Sequence, residues 1–338
     1  MEIVLIIPII LSFIFGLVTF PKWIKKCHEI GLLWNDMNKY GHPKNVASSG
    51  GIVVVMSFIL GVLFYIAIRT FILGSFNGID LKIFSLISVI LMLALIGLTD
   101  DLLGWKNRGL SAKTRLVLAF LASIPLVVIN AGNHMVYVPF LGSISLGLLY
   151  PLIIIPLGVA GASTTYNFLA GFNGLEAGQG IIIISFLSFI SYATGSPWLG
   201  LIGLIMVAAL IAFYIFNRFP ARVFPGDVLT YPIGALIAGM AILGNFEKIA
   251  MFIFIPYILE TVLKSRGGLK KHSFGIPSKD GGLEKPYEKI YGLTHVAIQI
   301  LSKIKNKVYE RDITHFIFVF QIIICLIALI LFGGSIIS

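Results

Sequence analysis

Residues 83–115 read IFSLISVILMLALIGLTDDLLGWKNRGLSAKTR. From Ile83 to Thr99 the stretch carries no charge. As a helix rising 1.5 Å per residue it reaches about 26 Å, close to the ~30 Å hydrocarbon core of a bilayer. It then changes abruptly. Asp100 and Asp101 are followed by Lys106, Arg108, Lys113 and Arg115. An apolar run that stops at a cluster of charges reads as a membrane span meeting water, and the rest of the chain repeats the pattern. Hydrophobic residues make up 58% of its 338 residues, charged residues 12%, and mean hydropathy is +0.98. A soluble protein cannot bury that much apolar surface, whereas a bilayer can.

Runs long enough to span fall at about 2–20, 51–73, 82–99, 115–131, 147–169, 179–195, 198–217, 228–243, 247–263 and 313–333. The expected fold is therefore an all-α polytopic membrane protein of about ten helices, with residues 1–338 forming one membrane domain. Breakers such as Pro125, Pro151 and Pro156 are tolerated in membrane helices. The first run has no leading positive segment, and Pro21, Lys22, Lys25 and Lys26 follow it, so it reads as a retained helix rather than a cleaved signal. Cys27 and Cys325 fit neither a disulfide framework nor a metal knuckle.

Charge tests the helix count. Ten helices leave nine loops, odd and even on opposite sides. The odd loops carry 22 of the 25 Lys and Arg residues, and only Arg69, Lys82 and Lys248 lie near even loops. Positive charge marks the cytoplasmic side. Both termini are then outside, and every chemically interesting loop is cytoplasmic. The net charge of +10 is accounted for by topology, and no nucleic-acid partner is expected. The even loops look short and featureless. Residues 293–311 read as a basic amphipathic helix lying on the membrane surface.

Four stretches could carry chemistry. Asp100 and Asp101 end the third helix, where carboxylates oppose the helix dipole and need a compensating cation. Adjacent helical residues point about 100° apart, so the two should not serve one partner equally. Lys113 and Arg115 nearby suit phosphate, though topology signals would look the same. The fifth helix runs into NFLAGFNGLEAG, where Asn167 and Asn173 bracket a Gly-rich turn. Asn offers a carbonyl to a hard cation and an amide to a base edge, and a plain turn also favours Asn and Gly. The seventh loop holds FPGD, residues 224–227. Asp227 is either a helix N-cap or a metal ligand. Phe224 is either a core residue or a platform for a base. The ninth loop places His272 beside Lys270 and Lys271, as an anionic substrate or a basic surface would want.

Together these motifs resemble the polyprenyl-phosphate N-acetylhexosamine-1-phosphate transferase superfamily. DD, NFLAGFNGLEAG and FPGD occur in that order over nearly the whole chain, and NGLEAG is most similar to the branch acting on dolichyl phosphate. The resemblance implies ten helices with a cytoplasmic site. It implies a Mg2+ ion, with Mn2+ as an alternative, held by Asn167 and Asp227 beside the substrate pyrophosphate. It implies uracil contacts from Asn173 in the turn that also holds Gly174 and Glu176, with Phe224 stacking and Met37 contributing backbone. Asp100, Asp101, Lys113 and Arg115 would lie near the reacting phosphates, with Lys271 and His272 enclosing sugar and phosphate. Two positions depart from the pattern. The stretch Lys271-His272-Ser273 lacks a second flanking cation, and Gly104 stands where relatives carry a polar residue. The histidine-rich ninth loop of the muramyl-peptide branch is missing.

The activity so implied is transfer of N-acetylglucosamine-1-phosphate from UDP-GlcNAc to a polyprenyl (dolichyl) phosphate, releasing UMP, as the first lipid-linked step of glycan assembly. The partners are those two substrates and the lipid bilayer, with a homodimer as an open assembly. Isoleucine- and lysine-rich usage points to an archaeal plasma membrane, or to the endoplasmic reticulum in a eukaryote. The competing reading is a secondary transporter of an anionic solute. Transporters place polar groups near the midplane, whereas here they sit at one face. A CDP-alcohol type transferase would need a DG…D…D signature that is missing.

Overall fold

The computed structural model describes residues 3–74, 78–106, 108–138 and 142–337. It is mostly helical, and all ten expected apolar runs are helical in whole or part. Seven helices are long and apolar enough to cross a membrane among the described residues. They are α1 (Ile7–Ile30, entered through a 3-10 turn), α2 (Gly51–Phe71), α3 (Ile79–Lys106), α7 (Leu175–Ala193), α8 (Pro197–Asn217), α9 (Asp227–Gly244) and α13 (Glu310–Ile337).

The three other runs are interrupted, each near a proline that removes a helix donor. Residues 115–131 form α4 (Ala112–Ala122) and α5 (Ile124–Val128), broken at Ser123 ahead of Pro125. Residues 147–169 begin as a wide turn at Tyr150–Ile154, containing Pro151, and continue as α6 (Ile155–Tyr166). Residues 247–263 form α10 (Glu247–Ile253) and α11 (Ile255–Ser265), broken at Phe254 ahead of Pro256.

Helix α9 is the hub. Every residue from Val228 to Leu243 is buried, with α2, α3, α6, α7, α8 and α10 packed around it. Small residues permit the close approaches. A side chain at Gly97 of α3 would run into the backbone of Asp227, and one at Gly234 of α9 would meet Ala162 O at 2.5 Å. Large apolar side chains such as Val18, Leu95, Val319 and Ile330 stand exposed on the flanks, as a lipid-facing surface requires.

Three short hairpins were not evident in the sequence. Strands β1 (Leu33–Asn35) and β2 (Lys44–Ala47) fold the first loop. Strands β3 (Met135–Val138) and β4 (Gly142–Ser145) occupy an even loop that was expected to be featureless. Strands β5 (Ile276–Pro277) and β6 (Leu283–Glu284) fold the ninth loop. The expected surface helix over 293–311 is also corrected. Only α12 (Leu293–Leu301) forms, followed by turns before α13 begins at Glu310. Its Leu293, Ala297 and Ile298 are buried against α11 and α13, so protein rather than lipid covers its apolar side.

The odd loops converge on one end of the molecule. Phe224 N–H donates to Ala47 O (2.8 Å), and Gly50 N–H to Phe224 O (2.9 Å), tying the first loop to the seventh. Asn38 donates through Nδ2 to Gly171 O (2.7 Å) and accepts at Oδ1 from Gly275 N–H (3.1 Å), adding the fifth and ninth loops. On the charge-poor side, Arg69 is held by Asp80, with Nε 3.2 Å from Oδ1.

Candidate active site

A cavity of about 490 Å3 opens at this end. Helix α3 supplies Asp100, the segment ahead of α4 supplies Leu110, α4 itself supplies Arg115, the end of α6 supplies Asn167, and the start of α9 supplies Asp227 and Thr230. The first loop contributes Trp34 and Met37, the fifth Gly171 and Phe172, the seventh Phe224, and the ninth Phe274.

The adjacent carboxylates diverge, as helical geometry requires. Asp100 faces the cavity. Its Oδ2 lies 3.1 Å from Arg115 Nη1, and its Oδ1 accepts from Leu110 N–H. The same Arg115 nitrogen is 3.3 Å from Asp227 Oδ2. One half-buried guanidinium therefore bridges two carboxylates from different helices. Asp101 also borders the cavity, but its carboxylate oxygens turn to the start of α9. Its Oδ1 accepts from Asp227 N–H (2.8 Å) and its Oδ2 from Val228 N–H (3.3 Å). Asp101 thus caps α9 from another helix, satisfying amides that have no partner inside α9. The formal N-cap is Gly226, which has no side chain to offer. Its φ of 71° lies in the region glycine favours, and a side chain there would meet the Asp101 carboxylate. Asp227 is relieved of capping, and its carboxylate is free to face the cavity.

Asn167 is the C-cap residue of α6, and its Oδ1 accepts from Thr230 Oγ1 (3.2 Å). That bond sets it one helical turn from Asp227. Asn167, Asp227 and Asp100 present oxygen donors from three helices. Among the described residues no three His, Cys, Asp or Glu side chains gather as a metal cluster. A hard divalent cation that keeps its waters and binds through one or two carboxylates plus substrate phosphates does not need one. Arg115 already places one positive charge between Asp100 and Asp227.

The Gly-rich turn is fastened rather than open. Glu176 is buried in the first turn of α7, accepts at Oε1 from Gly171 N–H (2.8 Å), and forms part of the cavity wall. Gly171, at φ 104°, lies under the ring of Phe274, where a side chain would clash at 2.6 Å. Gly174, at φ 81°, approaches Tyr214 and Arg218 on α8 and does not reach the cavity. Asn173 does not line it either. Its amide N–H donates to Glu310 Oε1 (2.7 Å), and its Nδ2 lies 3.4 Å from Asp36 Oδ2. Asp36 is in turn paired with Lys39 (2.6 Å). Sequence reading did not single out Glu310, which is 137 residues away from Asn173.

Three other expected residues stand apart from the cavity. Lys113 is exposed on α4, while Arg115 is the cation that turns inward. His272 is exposed and stacks on Phe274, with centroids 6.1 Å apart. Lys271 Nζ sits 4.7 Å from the centre of the Tyr287 ring. Phe274, Leu110 and Trp34, which do line the cavity, had no motif to announce them.

A mostly apolar bundle with carboxylates, a buried-edge arginine and a carbonyl donor at one end of its helices defines an integral membrane enzyme for anionic substrates. The chain belongs to glycosyl transferase family 4, whose model matches residues 83–245. A protein of Sulfolobus acidocaldarius, provisionally named UDP-N-acetylglucosamine–dolichyl-phosphate N-acetylglucosaminephosphotransferase, is 33% identical over 332 residues, covering 96% of this chain and 95% of its own. The enzyme of that name from Dictyostelium discoideum is 31% identical over 73% of this chain and 69% of its own. A phospho-N-acetylmuramoyl-pentapeptide-transferase of Wolbachia is 30% identical over 74% and 78%.

Proposed function

We propose that the cavity transfers N-acetylglucosamine-1-phosphate from UDP-GlcNAc to a polyprenyl phosphate of the dolichyl type. A phosphate oxygen of the lipid attacks the sugar-bearing phosphorus. The bond from that phosphorus to the bridging oxygen of the pyrophosphate breaks, and UMP leaves with the electron pair on that oxygen. The observation that carries this reading is the Asp100–Arg115–Asp227 bridge at the mouth of a cavity on the loop-bearing end, where a lipid phosphate and a soluble nucleotide can meet. The names of the Sulfolobus relative, matched over nearly its full length, and of the Dictyostelium enzyme support the substrates.

The acceptor monoester, with a second pKa near 6, is largely dianionic at neutral pH, so the chain's main task is to bring anions together rather than to remove a proton. Arg115 would swing from the carboxylates to the transferring phosphoryl group as the substrates enter. Asn167 and Asp227 would hold Mg2+ on the pyrophosphate, where the ion would neutralise charge. Phe224 and the Met37 backbone would receive the uracil, and Lys271 and His272 would close over the sugar through Phe274. Asn173 and Gly174 would act by shaping the turn. Ten passages, external termini, a cytoplasmic cavity and an archaeal plasma membrane complete the reading, on the strength of the charge split.

The test is release of UMP by the purified chain supplied with Mg2+, dolichyl phosphate and UDP-GlcNAc. Turnover of UDP-muramyl-pentapeptide in place of UDP-GlcNAc would move it to the other branch.

A further inference from the structure

A second cleft, of about 660 Å3, lies at the same end of the molecule and shares no lining residue with the catalytic cavity. Helices α8 and α13 both pack on α7. The cleft opens between their loop-side ends, with Asn173, just ahead of α7, among its lining residues. Arg218, Arg222, Arg311 and His315 line it, and no acidic side chain does. Among the described residues the three arginines form no ion pair with a carboxylate. Arg222 lies 4.6 Å over the Phe216 ring, and Arg311 lies 4.8 Å from the Phe219 ring while donating to Phe219 O (3.3 Å). Ring and backbone contacts hold these guanidinium groups in place but leave their charge uncompensated. Thr314, buried in the wall, has a hydroxyl with no protein partner.

Clustered cations repel one another unless an anion joins them, no carboxylate lines this cleft, and the nearby Asp312, whose charge reaches His315, is itself paired with Lys305 (2.5 Å). Its position selects the kind of anion. Tyr214 and Ile215 on one side and Thr314 and His315 on the other belong to helices long and apolar enough to cross a membrane. Beyond them, exposed Ile211 and Val319 continue along the same helices as apolar surface. A ligand that fills the cleft has its charge among arginines and its remainder against hydrocarbon. We infer that the cleft between α8 and α13 binds the phosphodiester headgroup of an anionic phospholipid, with its acyl chains along the exposed faces of the two helices. Phosphate is matched by the forked donors of Arg.

The site is separate from catalysis, so the test reads binding. The full chain is reconstituted in nanodiscs of phosphatidylcholine with a minor share of phosphatidylglycerol, and retained lipids are counted by native mass spectrometry. Phosphatidylglycerol should be enriched over its bulk share. Arg218→Gln and Arg311→Gln should each lower that enrichment by about fivefold, on the scale of one cation at an anionic surface. Arg218→Lys and Arg311→Lys should retain most of it. Both positions carry exposed side chains, so melting temperature in phosphatidylcholine alone should match the parent and certify the fold. Unchanged enrichment in the Arg218→Gln, Arg311→Gln double variant would overturn the assignment. A second arm adds inorganic phosphate to nanodiscs of phosphatidylcholine alone. No rise in melting temperature is expected, and stabilisation equal to that given by phosphatidylglycerol would make this a soluble-phosphate site and overturn the lipid assignment.

Discussion

At the scale of single residues, the adjacent carboxylates divide two tasks. Asp101 holds the start of α9 through two amides, while Asp100 and Asp227 share Arg115 across the cavity. Asp227→Ser and Asp227→Asn should therefore stay folded with melting temperature little changed, because the cap comes from Asp101. Turnover should fall by roughly 10²–10³-fold, the scale for losing one electrostatic contact to a transition state. Full turnover in Asp227→Ser would remove Asp227 from the site. Asp100→Asn and Asp101→Asn should differ in kind. Asp100→Asn should slow turnover at an unchanged melting temperature. Asp101→Asn turns an amide toward backbone N–H groups and should also destabilise the chain by about 1 kcal/mol, as loss of a cap does. Thermal unfolding beside kinetic assays separates them, and identical behaviour of the two variants would contradict the division.

At the scale of elements, the sequence announced what is local and concealed what is assembled. Apolar runs located all ten helical regions, and the DD, NFLAGFNGLEAG and FPGD motifs pointed to Asp100, Arg115, Asn167, Asp227 and Phe224, which meet at one cavity. Capping of α9 by Asp101, 126 residues distant, leaves no local pattern. Neither does the bond from Asn173 to Glu310. Glu310 opens α13 and also lies 3.5 Å from Asn38 Nδ2, so one carboxylate fastens the first and fifth loops to the last helix. Glu310→Ala should raise KM for UDP-GlcNAc by about tenfold, the worth of a hydrogen bond to a charged group, with a smaller change in kcat. Glu310→Gln keeps an acceptor and should recover most of the loss. In the ninth loop, α12 hides His295. Burial pushes its pKa down to about 4, and its Nδ1 accepts from Tyr291 N–H (3.3 Å). Above pH 6.5 the folded and opened loops both hold neutral imidazole. As pH falls from about 6.5 to 4, only the opened loop takes up the proton, so loop stability declines across that window and levels off below it. Hydrogen exchange over residues 272–301, corrected for intrinsic rates, should show opening favoured up to roughly twentyfold more at pH 5 than at pH 7. His295→Gln should abolish that dependence.

At the scale of the whole molecule, convergence of the loops constrains the path of the chain. Residues 31–50, 167–174, 218–226 and 266–309 are tied to one another by hydrogen bonds, and Asp101 at the end of α3 is tied to the start of α9. Each segment between two of these points must leave the loop-bearing end and return to it. Helices α2 and α3 do so once, and α7 and α8 do so again. The proposed ten-passage path would then pair α4–α5 with α6, and α9 with α10–α11. On the proposed ten-passage path, adding α1 and α13 would give an even number of passages and put both termini at the far end. The segment 247–265, unbroken, would be about 28 Å long at 1.5 Å per residue, enough to cross with a bend. Orientation then rests on charge, since 22 of 25 Lys and Arg residues fall in the converging loops and Arg69 on the other side is neutralised by Asp80. Tyr40 and Lys289 are exposed in those loops, and Leu148 is exposed on the opposite side. The two native cysteines are buried. In intact cells, Tyr40→Cys and Lys289→Cys should resist an impermeant thiol reagent until the membrane is opened, while Leu148→Cys should label at once. Labelling of Tyr40→Cys and Lys289→Cys from outside, with Leu148→Cys protected, would invert the molecule and place the cavity away from cytoplasmic UDP-GlcNAc. Labelling of Tyr40→Cys and Leu148→Cys together, with Lys289→Cys protected, would mean that one interrupted segment turns back without crossing, which the bonds between the first and ninth loops forbid.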